Sequence, residues 1–149
     1  MNYKKDFSII MENVFGGYHK LSKQSETFLN LLCFQFIKKI IKTCNNLLHP
    51  IDYENKTIKP FSQKKLTHRE IETSIQLLFP QEFTDYLIKD YKEILSYKIK
   101  IVFSKSVTEH LLKKSIVDNI EITKKSIDFL TFITERLIYN ILTNYKEIE

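Results

Sequence analysis

Glycine and proline are nearly absent from this chain, with two glycines and three prolines in 149 residues. So few breakers argue against a sheet rich in tight turns and favour long helices. Arginine is also scarce: Arg69 and Arg136 stand alone among 23 basic residues, and the rest are lysines. Lysine meets phosphate as a point charge, whereas arginine supplies the planar fork that reads groove edges. Any nucleic-acid binding is therefore expected to be electrostatic and insensitive to sequence. The surplus of basic over acidic residues is +5, which permits an anionic partner without requiring one. No apolar run reaches the length of a membrane span, and the polar first residues lack the apolar stretch of a secretory leader. A soluble, intracellular chain is expected. Cys33 and Cys44 fall on one predicted helix, ~16 Å apart at ~1.5 Å per residue, too far for a disulfide between them. They read as buried free thiols.

Catalytic signals are missing as well. His19, His49, His68 and His110 are spread out, and none has metal-ligand spacing with the cysteines. There is no nucleophile elbow and no glycine-rich phosphate loop. No enzyme, metal, cofactor or small-molecule substrate is expected.

What is present is amphipathic periodicity, carried by a chain that is 43% hydrophobic. Phe7, Ile10, Met11, Val14 and Phe15 form one face of a short helix. Asp6 sits at its start and Gly16-Gly17 ends it. A longer helix runs from about Ser22 to Leu48. Leu29, Cys33, Phe36, Ile37, Ile40, Cys44, Leu47 and Leu48 keep one stripe, and Lys38, Lys39 and Lys42 lie outside it. His49-Pro50 stops it, and residues 50–65 read as a loop. Thr67-His68-Arg69-Glu70 then spells a capping box, with Leu66 and Ile71 at the staple positions. The helix it opens carries Ile71, Ser74, Ile75 and Leu78 and stops at Pro80. Another helix follows from Gln81 to about Lys98. Ser104 is expected to cap a short helix bearing Val107, Leu111 and Leu112. Thr123 is expected to cap a last long helix bearing Ile127, Leu130, Leu137, Ile138, Ile141 and Tyr145. The second half thus repeats the short–long opening of the first. A long helix with one apolar stripe must bury it against another, so the repeat points to pairing.

The short–long–short order resembles the histone fold, and the residues resemble histone 2B. Lys5-Asp6-Phe7-Ser8-Ile9 is similar to the family's Lys-Glu-Ser-Tyr-Ser-Ile. Residues 66–83 read Leu-Thr-His-Arg-Glu-Ile-Glu-Thr-Ser-Ile-Gln-Leu-Leu-Phe-Pro-Gln-Glu-Phe. The family reads Ile-Thr-Ser-Arg-Glu-Ile-Gln-Thr-Ala-Val-Arg-Leu-Leu-Leu-Pro-Gly-Glu-Leu there. The helix after Pro80 resembles the extra C-terminal helix of the 2B type. Phe103 to Lys114 is similar to the start of histone 2A, and residues 123–145 resemble its long helix. A 2B half followed by a 2A half resembles the histone doublets of some giant viruses. The resemblance implies an all-α histone fold over residues 4–98 and a partial second half over 101–149, which would lack the 2A third helix. Residues departing from the pattern include Val107, His110 and Lys113, which replace 2A arginines, and Gln63, which replaces a loop arginine. Glu135 fits one glutamate of the nucleosome's acidic patch.

Several expectations follow from this resemblance. The protein would be a DNA-binding structural protein that pairs through histone folds and helps package DNA in nucleosome-like particles. Its partners would be double-stranded DNA, without sequence preference, and a histone-fold protein or a second copy, with no membrane partner. Its place would be the nucleus or chromatin or, for a viral protein, the host nucleus, viral factory or virion. The DNA contacts would be Lys20 and Lys23 in the first loop, Lys64, Lys65, Thr67 and Arg69 around the second, and Lys124 and Lys125 at the last helix. The alternative for these lysines is a solvated helix end, and for Arg69 a structural ion pair. The pairing core would be Leu29, Phe36, Ile37, Ile40, Ile71, Ile75, Leu78, Leu130, Leu137 and Ile141. A second function fits the low charge and scarce arginine: a histone-fold interaction subunit of a transcription or assembly complex with little DNA binding of its own.

Overall fold

The amphipathic stripes read above become six helices among the described residues of a computed structural model. It describes residues 1–16, 20–48, 51–52, 57–58, 65–91, 100–117 and 119–148. Helix α1 spans Lys4–Phe15 and buries Phe7, Ile10 and Met11. Gly16 ends it at φ +67°, a left-handed conformation that glycine takes without steric cost, and its N–H returns to the Glu12 carbonyl. Helix α2 spans Lys23–Leu48 and buries its stripe from Leu29 to Leu48. Ser22 starts it, its hydroxyl accepting from the Ser25 N–H at 3.1 Å.

Helix α3 (His68–Leu78) opens with the expected capping box and buries Ile71, Ser74 and Ile75. Helix α4 spans Gln81–Ile88, helix α5 Lys105–Ser115 and helix α6 Lys124–Ile148. Two-residue strands punctuate the connections. β1 (Ile51–Asp52) pairs antiparallel with β2 (Thr57–Ile58), and β3 (Lys65–Leu66) pairs in parallel with β4 (Glu121–Ile122).

The packing is reciprocal. α1 lies on both long helices, α2 and α6, and α5 lies on the same two. α2 and α6 also touch each other, and α3 rests on both. One hydrophobic core therefore runs through both halves of the chain. Of the expected pairing residues, Leu29, Phe36, Ile37, Ile40, Ile71, Ile75 and Leu130 are buried, while Leu78, Leu137 and Ile141 are partly buried against them. Cys33 and Cys44 are buried free thiols, and burial pushes the Cys44 thiol up to about 11.

Four expectations need correction. The stretch 50–65, read as loop, contains β1, β2 and the first residue of β3, because short backbone pairings carry no periodic signal. The helix after Pro80 is interrupted: α4 ends at Ile88, Asp90 takes a left-handed φ of +67° and Tyr91 is helical again, while the rest of the expected helix, residues 92–98, lies outside the described residues. The turn at Asp90 brings the Tyr91 ring to 4.8 Å from Phe129, so tertiary packing accounts for the interruption. Leu47 is exposed rather than part of the buried stripe. Ser104 holds the cap position of α5, but its side chain makes no cap bond and lies 2.9 Å from the Ser106 hydroxyl instead.

Candidate nucleic-acid interface

The parallel pair of β3 and β4 sets two helix starts side by side, because each strand runs into one. Thr67 follows β3 and caps α3: its hydroxyl accepts from the Arg69 N–H at 3.3 Å, and its own N–H donates to Glu70 Oε1 at 2.6 Å. Thr123 follows β4 and opens α6. Its hydroxyl accepts from the Ser126 N–H at 3.2 Å and donates to the Leu66 carbonyl at 2.8 Å. The Thr123 N–H reaches the same carbonyl at 3.2 Å. One threonine thus caps its own helix and ties it to the start of the other. The positive ends of both helix dipoles meet at this point.

Lys65, Thr67, His68, Arg69, Glu70, Thr123 and Lys125 line a cleft of about 590 Å³ there. Of the eight expected DNA contacts, the fold brings Lys65, Thr67, Arg69 and Lys125 together. Lys124 lies in the same first turn of α6, exposed, and does not line the cleft. Lys20 and Lys23 flank the start of α2, away from these residues, and Lys20 lines a different, apolar groove. Lys64 lies outside the described residues. Glu70 is engaged in the capping box, and Glu121 Oε2 lies 3.7 Å from Lys65 Nζ. That ion pair is well exposed on both sides, so it neutralises little. The alternative role of Arg69, a structural ion pair, has no counterpart among the salt bridges of the described residues.

His68 and Thr123 are cleft residues that sequence reasoning did not assign to the site. Thr123 carried a signal, since it starts a helix as Thr67 does. His68 carried none, because its position depends on Tyr91 and Phe129, whose rings lie 5.3 and 6.5 Å away. Burial holds its imidazole below the usual histidine value. Glu72 and Glu70 oppose that shift, and Arg69 and Lys125 reinforce it. A neutral His68 at pH 7 donates one hydrogen bond without adding charge. What the cleft offers an anion is charge: the positive ends of two helices and the cationic side chains of Lys65, Arg69 and Lys125 meet there, while both threonine hydroxyls are engaged with Glu70 and Leu66.

Glu135, expected on an acidic surface, lies inside the molecule, 6% exposed. Its Oε1 accepts from the N–H groups of Val102 and Phe103 at 2.7 and 2.8 Å. Asp6 on α1 accepts from the Ser104 N–H at 2.9 Å. Burial raises the pKa of both carboxyls, against the pull of those N–H groups. The two carboxylates fasten the segment ahead of α5, and Glu135 is turned inward rather than toward a partner.

No group of three or more His, Cys, Asp or Glu among the described residues is placed to hold a metal ion. No helix among them is long and apolar enough to cross a membrane. In the comparisons with known proteins, no family model matches the chain and no curated protein matches it.

Proposed function

We propose that the chain is a histone-like structural protein that binds the phosphates of double-stranded DNA, without sequence preference, and helps compact it in nucleosome-like particles. In this reading its two halves are a 2B-like and a partial 2A-like histone fold that pair within one chain. It acts in the nucleus or on chromatin. The carrying observation is the cleft where the starts of α3 and α6 meet beside Lys65, Arg69 and Lys125. Paired strands that present two helix N-termini and lysines suit a phosphate backbone, and few arginines suit binding that ignores base edges.

The test is a mobility-shift titration on unrelated duplexes across a salt series. Binding should fall linearly in log–log salt coordinates and be alike for all sequences. Lys65→Ala with Lys125→Ala should weaken binding to every duplex and lower the salt slope by about 2, one for each phosphate contact. If wild type fails to shift DNA at low salt, or the double variant binds as wild type does, the cleft is not a DNA site.

The modest +5 charge favours a second reading, a histone-fold interaction subunit with little DNA binding of its own. It predicts that the same double variant assembles with its partner unchanged.

A further inference from the structure

The reciprocal packing relates the halves of the molecule in pairs: α1 corresponds to α5, and α2 to α6. Under that exchange the residues ahead of α2, Lys20 to Ser22, correspond to β4 ahead of α6. β3 and α3, which follow α2, have no counterpart after α6 among the described residues. The two ends of the α2–α6 pair differ accordingly. At one end β3 pairs with β4, and α3 covers the long helices with Ile71 and Ile75 fully buried. Ser74 of α3 lies 3.3 Å from Cys44 of α2. At the other end the corresponding surface is, among the described residues, an open groove of about 590 Å³. Met11 and Phe15 of α1 line it together with Leu21 and Phe28 on one side and Ile141 and Tyr145 on the other. Phe28 is 62% exposed and Tyr145 53%, an unusual state for two large rings facing one cavity.

The covered end therefore shows what shape fits the open one: two extended residues followed by an amphipathic helix of about three turns. Its apolar residues would recur at i, i+3 and i+4, the spacing at which α3 buries Ile71, Ser74 and Ile75. Lys20 in the lining favours a carboxylate on that segment. The chain's own α3 cannot serve, because its buried face is already committed to α2 and α6. We infer that this groove is the docking site for a strand-and-amphipathic-helix segment of a partner protein, which occupies the place that α3 occupies at the other end. The inference rests on the packing alone and stands or falls independently of DNA binding.

The chain contains no tryptophan, so Tyr145→Trp gives a single fluorescent reporter in the groove wall of the full chain. The probe is a synthetic peptide with the sequence of residues 65–79, the segment that covers the related surface. Titration should give a saturable blue shift of the emission. A peptide of the same composition with the i, i+3, i+4 pattern scrambled should give none. Adding Phe28→Asp should weaken binding at least about tenfold. Because Phe28 is exposed, that change should leave the thermal melt unchanged, and the α3 site is intact in the same variant. No saturable shift, an equal shift with the scrambled peptide, or indifference to Phe28→Asp would each overturn the proposal. So would sedimentation showing a dimer that Phe28→Asp dissolves, since the occupant would then be a second copy.

Discussion

Helices α3 and α5 are of equal length, yet the backbone N–H groups around their starts are satisfied in opposite ways. Every helix start leaves N–H groups without intrahelical partners. At α3 the solution is local: Thr67 and Glu70, three residues apart, bond each other's backbone. At α5 the capping serine does no capping. The carboxylates of Glu135 and Asp6 hold the N–H groups of Val102, Phe103 and Ser104 instead, across 32 to 98 residues of chain. The local device fixes one helix. The distant one fixes the junction of α1, α5 and α6, and it joins the two halves of the molecule.

This contrast can be broken from either side. Glu135→Ala should have the largest effect, about 3 kcal/mol of lost stability in urea unfolding, because it strands a buried and a partly buried N–H group at once. A loss under about 1 kcal/mol would mean that water or a neighbour replaces the carboxylate. Thr67→Ala should cost about 1–2 kcal/mol, as the loss of a helix cap does. It should act on α3 alone, seen as faster amide exchange over residues 68–71 and unchanged protection at Val102 and Phe103. If both variants loosen both helix starts, the two devices are coupled through β3 and β4.

A third position sharpens the distant side. Tyr3 is fully buried, stacks on Phe103 at 4.9 Å and shares a 2.6 Å hydrogen bond with Thr108 of α5. Thr131 of α6 continues that chain of hydroxyls, 2.7 Å from Thr108. Tyr3→Phe keeps the stacking and removes one hydroxyl, so the expected cost is about 1 kcal/mol in the same unfolding assay. An effect as large as that of Glu135→Ala would show the hydroxyl chain, rather than the carboxylates, to be the main tie.

What was legible in the sequence follows the same division. The stripe of α2, the capping box at Thr67 and the glycine stop at Gly16 are written within a few turns of chain, where periodicity and capping rules act. The cleft was half legible. Thr67 announces one helix start and Thr123 the other, but their adjacency depends on the pairing of β3 with β4, which two-residue strands do not signal. Glu135 was expected on an acidic surface only through the family resemblance, which carries no information about its neighbours in this chain. Its burial depends on Val102 and Phe103 arriving from another segment. The break at Lys89–Asp90 was hidden for a similar reason, since it lets Tyr91 pack against His68 and Phe129, which arrive from other segments.

The smallest expected effect tests the sign of the Glu135 arrangement. Burial raises its carboxyl pKa in the folded state despite the two N–H donors. The native state therefore holds the proton more tightly than the unfolded state does. Stability from this group is fully present below the ordinary carboxylate range and is lost as pH rises through the raised value. Glu135→Gln keeps a carbonyl oxygen for Val102 and Phe103 and carries no charge. It should match or exceed wild type in urea midpoint at about pH 7.5, and that advantage should vanish at about pH 4. Asp6, raised by the same cause, contributes with the same sign, so an Asp6→Asn background should shift both curves without reversing their order. If Glu135→Gln is instead the weaker protein at about pH 7.5 and gains relative to wild type on acidification, the two N–H groups outweigh burial. The ionised carboxylate would then be a net stabilising link between the halves.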